Sequence, residues 1–113
     1  MNIPRDELKR IIDHDEDVLV IDVLPYDRYL EHHIPGSISV PLSAPGFIPS
    51  VERQTTGRGQ PIVVYCASAS CSASREAAKA LTEAGFTAVS AYEVCIAEWE
   101  QAGHPLVSGA AAL

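Results

Sequence analysis

Three cysteines, Cys66, Cys71 and Cys95, are the residues of this 113-residue chain best suited to covalent chemistry. A thiolate serves both as nucleophile and as metal ligand, so spacing decides between the two. No pair stands as Cys-x-x-Cys, and three is an awkward number for a zinc site, so the spacing argues against a metal. From the first cysteine the chain runs Cys66-Ala67-Ser68-Ala69-Ser70-Cys71-Ser72-Ala73-Ser74-Arg75, nearly all small and hydroxyl residues. A loop of that composition can turn its backbone N–H groups onto one anion, with the positive end of a following helix behind it. Such surroundings stabilise a thiolate, which makes Cys66 a candidate nucleophile. The plainer alternative is that Cys66 is a buried strand residue, since free cysteine is among the most buried types.

The elements that must position this loop are legible on either side of it. Val18 to Val23 and Pro61 to Cys66 are apolar, β-branched runs with little alternation, the pattern of strands buried on both faces of a parallel sheet. Pro4, followed by Asp6 and Glu7, opens a helix with Leu8, Ile11 and Ile12 on one stripe. Pro25 opens a short helical stretch through Tyr26, Tyr29 and Leu30. Ser37 to Val40 reads as a short strand, and Ser43 to Gln60 as a loop with a helical turn around Phe47 to Arg53. Ser74 is placed to cap a helix over Arg75 to Ala84, closed by Gly85. Phe86 to Tyr92 reads as a strand and Ile96 to Gln101 as a last short helix. Alternating strands and helices predict an α/β fold around a central, mostly parallel sheet flanked by helices on both faces. In such sheets ligands bind beyond the carboxyl ends of the strands, where the Cys66 loop falls. One domain over residues 1–107 and a short tail over 108–113 are expected.

Composition removes other functions. Hydrophobic residues make up 47% and charged residues 20%, the balance of a folded domain rather than a disordered chain. Eight Lys plus Arg against fifteen Asp plus Glu give a net charge of -7, the wrong sign for a nucleic-acid surface. Neither Val18 to Ile21 nor the longer run Ile62 to Ala67 is nearly long enough to span a membrane. The N-terminus lacks the apolar region of a signal peptide, so reduced thiols and a cytoplasmic location are expected. A Cys-x5-Arg phosphatase or arsenate reductase loop fails, because its arginine would fall at Ser72 counted from Cys66 and at Ala77 counted from Cys71.

Several ordered motifs are similar to those of rhodanese (sulfurtransferase) domains. Asp22-Val23-Leu24-Pro25, His33-Ile34-Pro35-Gly36-Ser37-Ile38 and Val40-Pro41 resemble the N-terminal signature. Val63-Val64-Tyr65-Cys66, with Ala77, Ala78, Leu81, Gly85 and Phe86 after it, resembles the active-site strand, loop and helix, and Trp99, Gly103 and Pro105 the closing motif. The resemblance spans about Ile3 to Val107 and implies a rhodanese-like α/β fold. It also implies that Cys66 accepts a sulfane sulfur from thiosulfate, a persulfide or a polysulfide, becomes a persulfide, and passes the sulfur to a thiol, cyanide or a sulfur-relay protein. No metal or organic cofactor is implied. The backbone of Ala67, Ser68, Ala69, Ser70, Cys71, Ser72, Ala73 and Ser74 would hold the persulfide anion, with Arg75 as the nearest cation.

This chain departs from the family pattern in ways that bear on substrate. Its loop is slightly long and lacks the usual arginine, Leu24 stands where many members carry arginine, and Val94-Cys95 replaces a Gly-Gly pair. A persulfide, polysulfide or protein donor is therefore a better match than thiosulfate. Three roles are open to Cys71: a resolving thiol, the nucleophile itself, or a packing residue. Cys95 reads as structural or peripheral. A non-catalytic binding or redox-sensing module using a Cys66/Cys71 disulfide is the alternative to an enzyme. His33 and Asp22 read as structural, His32 as solvated, and His14 and His104 as surface or loop residues.

Overall fold

The structure is a computed structural model describing residues 3–14, 17–42, 46–65, 72–92, 95–104 and 106–108. Its elements in chain order are α1 (Arg5–Asp13), β1 (Leu19–Asp22), α2 (Tyr26–Glu31), β2 (Ile38–Ser39), α3 (Phe47–Gln54), β3 (Ile62–Tyr65), α4 (Ala73–Glu83), β4 (Val89–Tyr92) and α5 (Cys95–Gln101). The four strands form one sheet in the order β2-β1-β3-β4, with all three pairings parallel. The expected α/β architecture is therefore present. Both apolar runs became the central strands: every residue of β3 is buried, as are Val20, Ile21 and Asp22 of β1. Among the described residues, no helix is long and apolar enough to cross a membrane.

The helices bury the stripes their sequences supply. Leu8 and Ile11 of α1 are buried, and Ile12 packs at the core margin. Helix α4 packs on β3 and β4 through Ala77, Ala78 and Leu81. Two alanines on that face let the helix approach the sheet closely, and Leu81 supplies roughly 1.5–3 kcal/mol of burial. Its end is a Schellman motif: Gly85 N–H donates to Thr82 O at 3.1 Å and Phe86 N–H to Leu81 O at 3.1 Å. Gly85 takes φ 104°, a conformation that side-chain-bearing residues avoid. Arg58 secures the same corner by donating to Ala84 O at 3.1 Å, with its guanidinium 4.6 Å from the Phe86 ring centre.

Boundaries moved where capping chemistry overrode apolarity. Phe86 to Ala88 turn the chain out of α4, so the last strand begins only at Val89. Ser72, rather than Ser74, occupies the N-cap of α4, and Ser74 is buried within the first turn. The segment over Phe47 to Arg53 is a full helix rather than a single turn. Pro49 does not break it, because its missing N–H falls in the first turn, where no intrahelical acceptor exists. The first α3 bond is Ser50 N–H to Gly46 O at 2.9 Å.

Candidate active site

The carboxyl ends of β1 and β3 lie side by side, with Asp22 opposite Tyr65 in the register. Tyr65 is the last residue of β3, Cys66 follows it in the chain, and α4 opens at Ala73. Cys66, Ala67, Ser68, Ala69, Ser70 and Cys71 lie outside the described residues. Their described neighbours are Ser72, exposed at the cap, Ala73, buried Ser74, and Arg75, exposed on the first turn of α4. Ser72 Oγ hydrogen-bonds the Glu76 carboxylate and makes no side-chain cap bond to the helix backbone. Cys95 is the first residue of α5.

Beneath the carboxyl end of β3 a set of buried polar groups joins segments far apart in sequence. Ile34 N–H donates to the Tyr65 hydroxyl oxygen at 3.1 Å, Ser37 Oγ lies 2.8 Å from the same oxygen, and Ser37 Oγ–H donates to Ile34 O at 2.7 Å. A serine hydroxyl has one hydrogen, so once that hydrogen goes to Ile34 O the Tyr65 hydroxyl must donate to Ser37. The result is a closed ring of three hydrogen bonds tying the end of β3 to the turn before β2. Tyr29 grips the same turn from the other side, donating its hydroxyl to Ser37 O at 2.8 Å.

His33 completes this layer. Its ring stacks on Tyr29 at 3.7 Å between centroids and 8° between planes, and its Nδ1 lies 2.8 Å from Tyr29 O. His33 N–H and C=O also bridge Val107, at 2.8 and 2.9 Å. Asp22, wholly buried, accepts the Leu24 N–H on Oδ1 at 2.9 Å and so fixes the chain as it leaves β1. Burial, and then the charge of Asp22, push the Tyr65 phenol far above its ordinary range. The same two causes, in the same order, raise Tyr29.

His33, expected in a structural role, makes packing contacts, and His104, expected as a surface or loop residue, packs as well. Its ring meets Trp99 edge-on at 4.8 Å, and its backbone N–H donates to Trp99 O at 3.2 Å. Tyr29 and Tyr65 carry the buried network, yet neither stands out in the sequence as more than an apolar position. Tyr65 is 28 residues from Ser37 and 31 from Ile34, and no periodicity links such positions.

Tyr65 closes a buried central strand at the carboxyl end of a parallel sheet, the end at which such sheets bind ligands, and the next residue in the chain is a cysteine. The chain belongs to the rhodanese-like domain family, whose model matches residues 4–102. It is 33% identical over 108 residues to the HTH-type transcriptional regulator Rv0324 of Mycobacterium tuberculosis, an alignment covering 96% of this chain and 45% of the regulator. A thiosulfate sulfurtransferase from Pseudomonas aeruginosa superposes with a TM-score of 0.85 at 25% identity, over 96% of this chain and 20% of that one. The Alr3790 protein from Anabaena shares the fold at a TM-score of 0.81 and 23% identity, over 95% and 92% of the two chains. The chain thus spans less than half of the regulator and a fifth of the sulfurtransferase.

Proposed function

We propose that this protein is a sulfurtransferase that carries sulfane sulfur as a persulfide on Cys66. One observation supports this above the others: in a rhodanese-like domain, the buried strand β3 ends at Tyr65, at the sheet's carboxyl end where such folds bind ligands, and the next residue in the chain is a cysteine. In the first half-reaction the Cys66 thiolate attacks the sulfane sulfur of a donor. A new S–S bond forms to Cys66, the donor's own bond to that sulfur breaks, and its electron pair leaves with the donor remnant. In the second, a thiolate or cyanide attacks the outer sulfur and Cys66 leaves as the thiolate. The sequence is ping-pong covalent catalysis with no net oxidation. Backbone N–H groups of residues 67–74 and Arg75 are the proposed holders of the persulfide anion.

Steady-state transfer to cyanide tests this reading. Parallel double-reciprocal lines for donor and cyanide, with activity lost in Cys66→Ser, are expected. Activity that survives Cys66→Ser and disappears in Cys71→Ser moves the nucleophile to Cys71.

The likeness to a transcriptional regulator favours a second reading, a redox-sensing module in which Cys66 and Cys71 close a disulfide. That step gives up two electrons and two protons to an external oxidant such as a peroxide. A protein that transfers no sulfur but loses two hydrogens on mild peroxide treatment, in wild type and in neither cysteine variant, belongs to this class.

A further inference from the structure

A second concave site lies at the same end of the sheet. A cavity of about 180 Å³ opens between the carboxyl end of β2 and one face of α3, with Ser39, Ser50 and Arg53 among its walls and Val40 and Phe47 as its apolar floor. Arg53 donates from Nη2 to Ser50 Oγ at 3.1 Å. Arg5, Lys9, Arg28 and Arg58 each face a carboxylate at ion-pair distance, whereas no such pair holds Arg53 among the described residues. In a chain with net charge -7, this guanidinium is turned onto a hydroxyl in a cavity wall and keeps its other N–H groups available. The Ser39 hydroxyl in the same wall is shielded from solvent and has no hydrogen-bond partner among the described residues. An arginine beside hydroxyl donors, in a space of that size, suits one carboxylate.

The sheet register sets how far the Ser39 wall of this cavity lies from Tyr65, the residue before Cys66 in the chain. Ser39 and Tyr65 both stand opposite Asp22, on its two sides. They are therefore two strand spacings apart, about 10 Å. In thiosulfate the negative charge lies on the terminal sulfur and on oxygens only two bonds from it, so one molecule cannot span both places. An organic persulfide with a carboxylate several bonds from its sulfur can. We infer that the Arg53 cavity is a subsite for the carboxylate of a small organic persulfide donor, or of the corresponding thiol acceptor. This rests on the assignment of Cys66 as sulfur carrier. The transfer is the one already balanced: R–S–S⁻ gives its outer sulfur to Cys66 and leaves as R–S⁻.

The test compares two donors of the same reactive group, glutathione persulfide, which carries carboxylates, and N-acetylcysteamine persulfide, which carries none. The ratio of their kcat/KM values, glutathione over N-acetylcysteamine, is expected to fall about tenfold in Arg53→Met, through KM, and to recover in part in Arg53→Lys. An unchanged ratio overturns the subsite. If wild type takes sulfur from neither donor, the Cys66 reading is lost, and the subsite is judged by titrating unreactive S-methylglutathione in NMR spectra. Shifts at Ser39, Ser50 and Arg53 that vanish in Arg53→Met support it, and their absence from wild type overturns it.

Discussion

The Tyr65 hydroxyl donates to Ser37 Oγ at 2.8 Å, joining the last residue before the candidate nucleophile to the turn that leads into β2. The bond is one side of a closed ring that also uses both backbone polar groups of Ile34. Tyr65→Phe leaves Ile34 N–H and Ser37 Oγ buried and short of a partner, which costs roughly 1–3 kcal/mol. Denaturant unfolding should show that loss for Tyr65→Phe, a similar one for Ser37→Ala, and a double variant well short of their sum. Additive losses would mean that the two hydroxyls do not act as a unit.

Alkaline stability follows from the same phenol. Tyr65 and Tyr29 hold their protons above the ordinary tyrosine range because of burial and the nearby Asp22 charge. Below about pH 10 both native and unfolded tyrosines are protonated, and they leave stability independent of pH. Above it the unfolded chain releases protons that the native chain keeps, so the unfolded state binds fewer and stability falls as pH rises. Unfolding free energy should decline above that pH, and less steeply in Tyr65→Phe. Equal slopes in the two proteins contradict the assignment.

The tautomer of His33 is fixed by its partners. Nδ1 faces a carbonyl, which only accepts, so Nδ1 carries the hydrogen. Nε2 is buried with no hydrogen-bond partner among the described residues. Long-range ¹H–¹⁵N spectra of the neutral ring should show Nδ1 protonated and Nε2 bare. His33→Phe, which keeps the stack on Tyr29 but strands its carbonyl, should lose about 1 kcal/mol.

The corner after α4 gives a graded series. Leu81 is fully buried, and Leu81→Ala should cost about 2–5 kcal/mol by deleting packed methyl groups. Gly85→Ala should cost only about 1 kcal/mol: its φ of 104° disfavours a side chain, but the added carbon meets nothing closer than Arg58 Nε at 3.5 Å. Thermal or denaturant unfolding ranks the two, and a reversed order contradicts the account of this corner.

How much of this was legible in the chain depended on whether the cause was local. Val18 to Val23 and Ile62 to Tyr65 announced buried parallel strands because burial on both faces leaves an unbroken apolar run. The α4 stripe was equally plain, since Ala77, Ala78 and Leu81 follow helical spacing. The sequence announces only a turn where α3 forms, because Gly46 and Pro49 look like breakers, although a proline in the first turn costs no hydrogen bond. The tyrosine–serine ring and the Arg53 cavity depend on contacts across the sheet. Ser37 and Tyr65 meet only after β1, β2 and β3 have paired in one register, which no local pattern encodes.

The central claim is that Cys66 carries the sulfur, and intact-protein mass spectrometry tests it most directly. Reduced protein is mixed with excess glutathione persulfide or thiosulfate, desalted and weighed. Wild type and Cys71→Ser should gain the mass of one sulfur, removable by dithiothreitol or by cyanide with release of thiocyanate, and Cys66→Ser should gain none. A wild-type protein that gains no sulfur from either donor, or a Cys66→Ser protein that gains as much as wild type, contradicts the account.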